Sequence, residues 1–248
     1  MHPYLDHDGP IAFAHRGGNV AAPENTMAAF AHAVSLGYRY LETDIHRSAD
    51  GVLVAFHDPD LERTCGVDAN IGDLAWSEIA ELRVDDIEPI PRLTDLLERW
   101  PKHRFNIDCK SDESVDPFIE LVAKYELLDR ICVGSFSLRR LRTLRSRLGR
   151  GLLTSMAPIE IASLRLSGRV PGSHPRAAQV PVDAGRLTVV NERFIAHAQR
   201  AQLPVHVWTI NDAKTMHRLI DFGVDGIMTD DVELLRSVFV DRGLWKHA

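Results

Sequence analysis

Residues 11–45 read IAFAHRGGNVAAPENTMAAFAHAVSLGYRYLETDI, and the fold turns on this stretch. Ile11–Ala14 and Arg39–Ile45 have the length and side-chain character of strands, while Asn25–Leu36 between them spaces its apolar residues as a helix does. Strand, helix and strand in that order form a βαβ unit, whose two strands run parallel. The alternation continues to the end of the chain. Further strands are predicted at Phe105–Cys109, Ile131–Gly134, Leu152–Ser155, Ala177–Val180, Val205–Trp208 and Gly226–Met228. Helices are predicted at Thr94–Trp100, Ser114–Tyr125, Leu138–Leu148, Ile159–Leu166, Asn191–Gln202, Asp212–Phe222 and Asp231–Val240. About eight such units in a 248-residue chain imply an α/β fold, a (β/α)8 TIM barrel.

Thr94, Asn191 and either Asn211 or Asp212 stand where helix N-caps are needed, and Asp225 and Asp230 read as a turn and the cap of the last helix. Residues 58–91 break the rhythm, being too long for an ordinary βα loop of about 2–6 residues. They are expected to form a small insertion after the second strand, with a short helix near Ser77–Leu82, inside one domain spanning 1–248. Ser167–Pro175, rich in Ser, Gly and Pro, reads as an exposed loop. Asp50-Gly51 signals a two-residue hairpin, which would pair residues whose numbers sum to 101 and set His57 opposite Asp44.

The formal net charge is −6, and no Lys/Arg block is read as standing apart from acidic neighbours, which argues against a nucleic-acid partner. Cys65, Cys109 and Cys132 are odd in number and lack CxxC spacing, so reduced thiols and a cytoplasmic location are expected. The N-terminus is polar without an apolar signal core, and no run approaches the ~18 apolar residues of a membrane span, so no stable membrane insertion is expected. Oligomeric state is not legible at this level.

In such barrels the chemistry gathers at the C-terminal ends of the strands. The first strand runs into His15-Arg16-Gly17-Gly18, the second ends in Glu42-Thr43-Asp44, the third in Asp108-Cys109-Lys110 and the seventh in Trp208. Glu42 and Asp44 lie two apart, as do Asp108 and Lys110, so each pair leaves one face of its strand. Three converging carboxylates repel one another, and a divalent cation relieves that cost; oxygen-only ligation favours Mg2+ or Ca2+. Singly, each residue has a plainer reading: a surface histidine, a solvated carboxylate, a core tryptophan, or, for Gly17-Gly18, an ordinary turn. Their conjunction at strand ends shifts the balance.

At these residues the chain resembles the glycerophosphodiester phosphodiesterase family. The matching elements are His15-Arg16-Gly17 with Pro23-Glu24-Asn25-Thr26, Glu42-Thr43-Asp44, Asp50-Gly51, His57-Asp58, Asp108-x-Lys110, Ser135-Phe136, Trp208-Thr209-Ile210-Asn211 and Gly226-Ile227-Met228-Thr229-Asp230, in family order over nearly the whole chain. The resemblance implies a TIM barrel acting on a small-molecule glycerophosphodiester. By it, His15 and His57 would be the acid–base pair, and Glu24, Glu42, Asp44 and position 108 would surround the divalent ion. Arg16 and Lys110 would hold phosphate; Phe136 and Trp208 are candidate substrate-binding residues, which in a lysophospholipid-cleaving relative would line an apolar path. Position 108 departs from the pattern, since the family usually has Glu there; whether the shorter Asp reaches the cation directly, through water or not at all stays open.

The reaction so implied yields glycerol 3-phosphate and an alcohol, with either water or the adjacent glycerol hydroxyl attacking phosphorus. Two alternatives stand beside it: a phosphodiesterase of the lysophospholipase D type, and a noncatalytic barrel that binds phosphorylated ligands. The latter would typically lack a histidine or a metal carboxylate, and here all are present.

Overall fold

The structure, a computed structural model, describes residues 2–170, 172 and 174–245. Eight parallel strands close into a barrel: β1 (Ile11–Ala14), β2 (Tyr40–Arg47), β3 (Arg104–Cys109), β4 (Ile131–Gly134), β5 (Leu153–Ser155), β6 (Arg176–Pro181), β7 (Val205–Trp208) and β8 (Gly226–Thr229). Each pairs with its sequence neighbours, and β1 closes the ring by pairing with both β2 and β8. The helices are α1 (Met27–Ser35), α2 (Leu93–Arg99), α3 (Val115–Lys124), α4 (Leu138–Leu148), α5 (Pro158–Ser167), α6 (Glu192–Arg200), α7 (Ala213–Phe222) and α8 (Val232–Asp241). The expected (β/α)8 barrel is therefore observed, with element ends displaced by a few residues at most. The strands read as buried because they are: β1, β2, β4 and β8 are almost wholly enclosed, their outer side chains packing under the helices.

At the N-terminal end of the barrel, a 3-10 turn at Pro3–Leu5 inserts Tyr4 against Phe13, Tyr40, Cys132, Leu153 and Met228. Tyr40 Oη donates to Tyr4 O at 2.7 Å, so this end is plugged and the opposite one is left for ligands.

Helix starts correct two expectations. Asn191 and Asp212 cap α6 and α7, accepting from Phe194 N and Thr215 N. Thr94 instead lies inside α2; Arg92 occupies the cap, and Asp95 accepts from its backbone N–H at 3.0 Å. Asp231, not Asp230, caps α8 by accepting from Leu234 N. Cys65, Cys109 and Cys132 are free.

The hairpin after β2 differs from the expectation by one residue. Leu53–Ala55 adds antiparallel to β2 with Ile45 opposite Ala55, His46 opposite Val54 and Arg47 opposite Leu53. The loop is Ala49-Asp50-Gly51, closed by Ser48 N–H to Val52 O, and Gly51 at φ 94 supplies the left-handed residue that ends a three-residue loop. Phe56, not His57, therefore faces Asp44, through Phe56 N–H to Asp44 O at 3.0 Å. Beyond it, two small hairpins (Asp60–Leu61 with Val67–Asn70, Arg83–Val84 with Glu88–Pro89) and a helical turn at Trp76–Ile79 wrap a separate cluster of Phe56, Leu61, Ile71, Ile79, Val84 and Ile90. In the loop after α5, Pro171 and Ser173 lie outside the described residues.

One buried ion pair ties α4 to α5. Arg145 Nη1 meets Glu160 Oε1 at 2.8 Å with both side chains enclosed, and Arg176 Nη2 approaches the same oxygen at 3.4 Å. Removing the carboxylate strands cationic charge in the interior, so Glu160→Ala should destabilise the fold by about 3–5 kcal/mol. Urea unfolding measures this directly, and an unchanged midpoint would show that the pair contributes little.

Candidate active site

The polar ends of the strands surround a cavity of about 450 Å3 at the C-terminal mouth, in the range that holds a small substrate. His15, Arg16, Glu42, Asp44, His57, Asp108, Lys110, Phe136 and Trp208 all line it. Glu24 does not; its Oε1 is taken by Arg16 Nη1 at 3.0 Å and Arg63 Nη2 at 2.6 Å. Parallel pairing explains the convergence, because Asp44 faces Asp108 across β2 and β3 while Glu42 faces Asn106 one pleat lower.

The turn after β1 carries His15 and Arg16. Gly17 sits at φ 81, and a Cβ there would lie 2.8 Å from the Phe30 backbone nitrogen, so glycine is needed for packing beneath α1. The Gly17-Gly18 pair thus shapes the turn. Arg16, itself at φ 53, donates its backbone N–H to Glu42 Oε2 at 3.0 Å.

Each lining histidine is held by a carboxylate. His15 Nδ1 donates to Asp230 Oδ1 at 2.6 Å, and His57 Nδ1 donates to Asp58 Oδ1 at 2.5 Å. A carboxylate only accepts, so Nδ1 carries the proton in both rings and Nε2 is the nitrogen left for chemistry. Asn211 orients the first dyad, donating from Nδ2 to Asp230 Oδ2 at 2.8 Å and accepting the Asp230 N–H at 2.9 Å. Arg63 Nε holds Asp58, and His46 Nε2 contacts the His57 carbonyl at 3.1 Å. Burial lowers the pKa of His46, which suits a neutral ring donating one N–H there.

Burial alone would lower the pKa of His15, but Glu42, 3.8 Å from its Nε2, and Asp230 outweigh it and raise it. Asp58, Asp230 and Asn211 received no catalytic reading from sequence. Asp58 carries a signal in its adjacency to His57, whereas Asp230 reads from sequence as the cap of the last helix.

The carboxylates differ in environment. Burial and the nearby Asp44 push Glu42 up, since a single backbone N–H cannot compensate a fully enclosed charge. Burial pushes Asp44 up too, but Lys110 (2.9 Å), Arg16 (3.2 Å) and His57 hold it below the usual range. Lys110 also contacts Asp108 Oδ2 at 2.7 Å, and despite burial the two carboxylates raise its pKa. Asn25, buried at φ 58, links the network by donating to Asp44 Oδ2 and accepting from Thr43 Oγ1.

Glu42, Asp44, Asp108 and Lys110 thus meet at one mouth. The three carboxylates share one cavity, yet Lys110 stands between Asp44 and Asp108, and among the described residues no three acidic, histidine or cysteine side chains form a compact metal cluster. Two features still suit a hard cation: Asp108 Oδ1 is buried with no hydrogen-bond partner, and Glu42 is enclosed with its charge scarcely compensated.

The far side of the cavity is apolar. Met156, Ile161, Val180, Leu187 and Val189 form its wall, and Phe136 meets Trp208 edge-on at 5.9 Å.

Comparison with known proteins agrees with this architecture. A chain named probable glycerophosphodiester phosphodiesterase 2 from Mycobacterium tuberculosis is 34% identical, over 99% of this chain and 96% of its own length. Human lysophospholipase D GDPD1 is 29% identical, over 90% and 84% of the two chains. Among solved structures, a glycerophosphodiester phosphodiesterase from Agrobacterium tumefaciens superimposes with a TM-score of 0.78 at 27% identity, covering 92% of this chain and 99% of that one. The model of the glycerophosphoryl diester phosphodiesterase family matches residues 15–234, opening on His15 and extending past Asp230 to take in both dyads. With that span matched and a relative above 30% identity aligned end to end, the chain belongs to the glycerophosphoryl diester phosphodiesterase family.

Proposed function

We propose that this chain hydrolyses glycerophosphodiesters to glycerol 3-phosphate and an alcohol, using His15 and His57 as the proton-transfer pair and a divalent cation, Mg2+ or Ca2+, near Glu42, Asp44 and Asp108. The observation that carries the reading is the pair of His–carboxylate dyads facing one cavity, each with Nε2 free to exchange a proton. His15, whose pKa is raised, suits the acid that protonates the leaving oxygen; His57 then receives the proton of the nucleophile. Arg16 and Lys110 carry the positive charge that offsets the phosphoryl oxygens. A bound cation would add charge neutralisation at those oxygens, with Glu42, Asp108 and Asp44 as the residues to hold it.

The test is hydrolysis of a panel of glycerophosphodiesters before and after chelation. Activity should disappear with chelator and return with Mg2+, Ca2+ or Mn2+. Full activity in excess chelator would remove the cation from the scheme, and inactivity on every diester under all conditions would leave the noncatalytic reading in its place.

The apolar wall favours a second reading, hydrolysis of lysophospholipids, since Met156, Ile161, Leu187 and Phe136 offer an acyl chain a path out of the cavity. The human relative carries the name lysophospholipase D. Rates on glycerophosphocholine and lysophosphatidylcholine, compared at equal concentration, separate the two.

A further inference from the structure

Helix α5 is apolar on two sides. Leu164 and the ion-paired Glu160 turn inward, while Ile159, Ala162 and Leu166, at i, i+3 and i+7, form a second stripe left exposed among the described residues. Ile159 is 65% exposed and Leu166 74%. This stripe borders the cavity, which Ala162 lines, and Phe136 (64% exposed) and Leu187 (54%) continue the apolar surface around the mouth. Large side chains gathered at one place in this way mark a surface that meets a partner.

The charge around it is one-sided. Between Gly134 and Val190 the chain has ten arginines, no lysine and two carboxylates, Glu160 and Asp183. Glu160 is spent inside the fold on Arg145 and Arg176. Leu138–Arg150 alone holds six arginines and no carboxylate of its own, although Arg139 and Arg140 pair with Asp112, Arg147 with Asp116 and Arg145 with Glu160. Arg142, Arg169 and Arg186 are exposed, and Arg186 sits at the tip of the Asp183–Ala184/Leu187–Thr188 hairpin beside Leu187.

We propose that the outer stripe of α5 and the rim at Phe136 and Leu187 dock on an anionic phospholipid surface, the apolar side chains entering the interface and the arginines meeting lipid phosphates. Apolar contact and cationic attraction together are what hold an interfacial helix. A second copy of the chain fits less well, because a two-fold contact would set this arginine-rich face against itself. No described helix is long and apolar enough to cross a membrane, so the contact is peripheral.

Sedimentation with vesicles tests the docking without reference to catalysis. The protein should pellet with vesicles of phosphatidylcholine containing phosphatidylglycerol, less as salt is raised, and weakly with phosphatidylcholine alone. Ile159→Ser/Leu166→Ser should lower the partition coefficient at least about tenfold, while Arg169→Glu/Arg186→Glu should abolish the preference for phosphatidylglycerol. Both variants should hydrolyse dissolved glycerophosphocholine at the rate of the parent protein, whatever that rate is. Failure of the parent to pellet with anionic vesicles, or equal pelleting by Ile159→Ser/Leu166→Ser, overturns the proposal. So does a dimer in solution that the double serine variant dissociates, which would assign the stripe to a second copy.

Discussion

His15→Ala and His57→Ala are each expected to lower kcat/KM on glycerophosphocholine by about two to four orders of magnitude, the usual worth of a positioned proton donor or acceptor. The structure lets the effect be separated from misfolding. Both rings are anchored at one nitrogen by carboxylates that also have other partners: Asp230 keeps Asn211, and Asp58 keeps Arg63. Truncating either imidazole therefore leaves neither dyad carboxylate without a partner, and the thermal midpoint should move little. Losses should appear in kcat far more than in KM, because Nε2 acts when bonds change and Arg16 and Lys110 remain to hold the anion. Near-normal turnover in either variant would take that histidine out of the reaction. A double variant much slower than the product of the single effects would contradict concerted roles, since residues that act as a unit lose nearly everything at the first deletion.

The extent to which this site was legible beforehand follows from distance along the chain. Glu42 with Asp44, and Asp108 with Lys110, lie two apart on strands, so their shared face follows from backbone geometry and survives in the structure. The barrel itself was legible because its unit repeats, and each repetition supports the last. His15 and Asp230 are 215 residues apart and meet only because β8 closes on β1, a fact no local pattern contains. Position 230 also has an acidic neighbour that does the capping, so local chemistry pointed to the wrong role. His57 was placed in the right cavity by a wrong register: the hairpin loop is one residue longer than Asp50-Gly51 alone suggests, and the backbone beyond Ala55 then brings the ring to the mouth. Lys110 reads from sequence as an ammonium that attracts an anion, and its carboxylate partners are a feature that only the fold supplies. In the folded chain its ammonium already bridges Asp44 and Asp108, because a buried cation seeks the nearest carboxylates. The uncovered stripe of α5 was invisible for a different reason, since spacing reveals apolar positions but not which of two faces the fold leaves bare.

Glu42→Gln is expected to make the cation-free protein more stable while abolishing most of its activity. Burial and Asp44 push the Glu42 carboxyl from an ordinary 4.5 up to about 7. A carboxyl whose pKa is raised in the folded state keeps its proton longer there than in the unfolded chain. Stability is then lost as pH rises through that window, and the full penalty, about 3 kcal/mol by the conversion of pKa to free energy, is present once Glu42 is ionised. A glutamine cannot ionise, yet its amide oxygen can still accept the Arg16 N–H. In chelator at pH 8 the variant should therefore melt higher, by about 2–4 °C for each kcal/mol recovered in a chain of this size. Its stability should no longer fall between pH 5 and 7. Added Mg2+ or Ca2+ should raise the melting temperature of the parent protein by mass action and leave the variant nearly unmoved. Hydrolysis by the variant should drop by about two orders of magnitude, the scale of losing one charge-stabilising element at a transition state. A parent protein whose stability is flat across that pH range would show that Glu42 is already compensated without a cation. A variant that melts lower than the parent in chelator would show that its charge supports the fold.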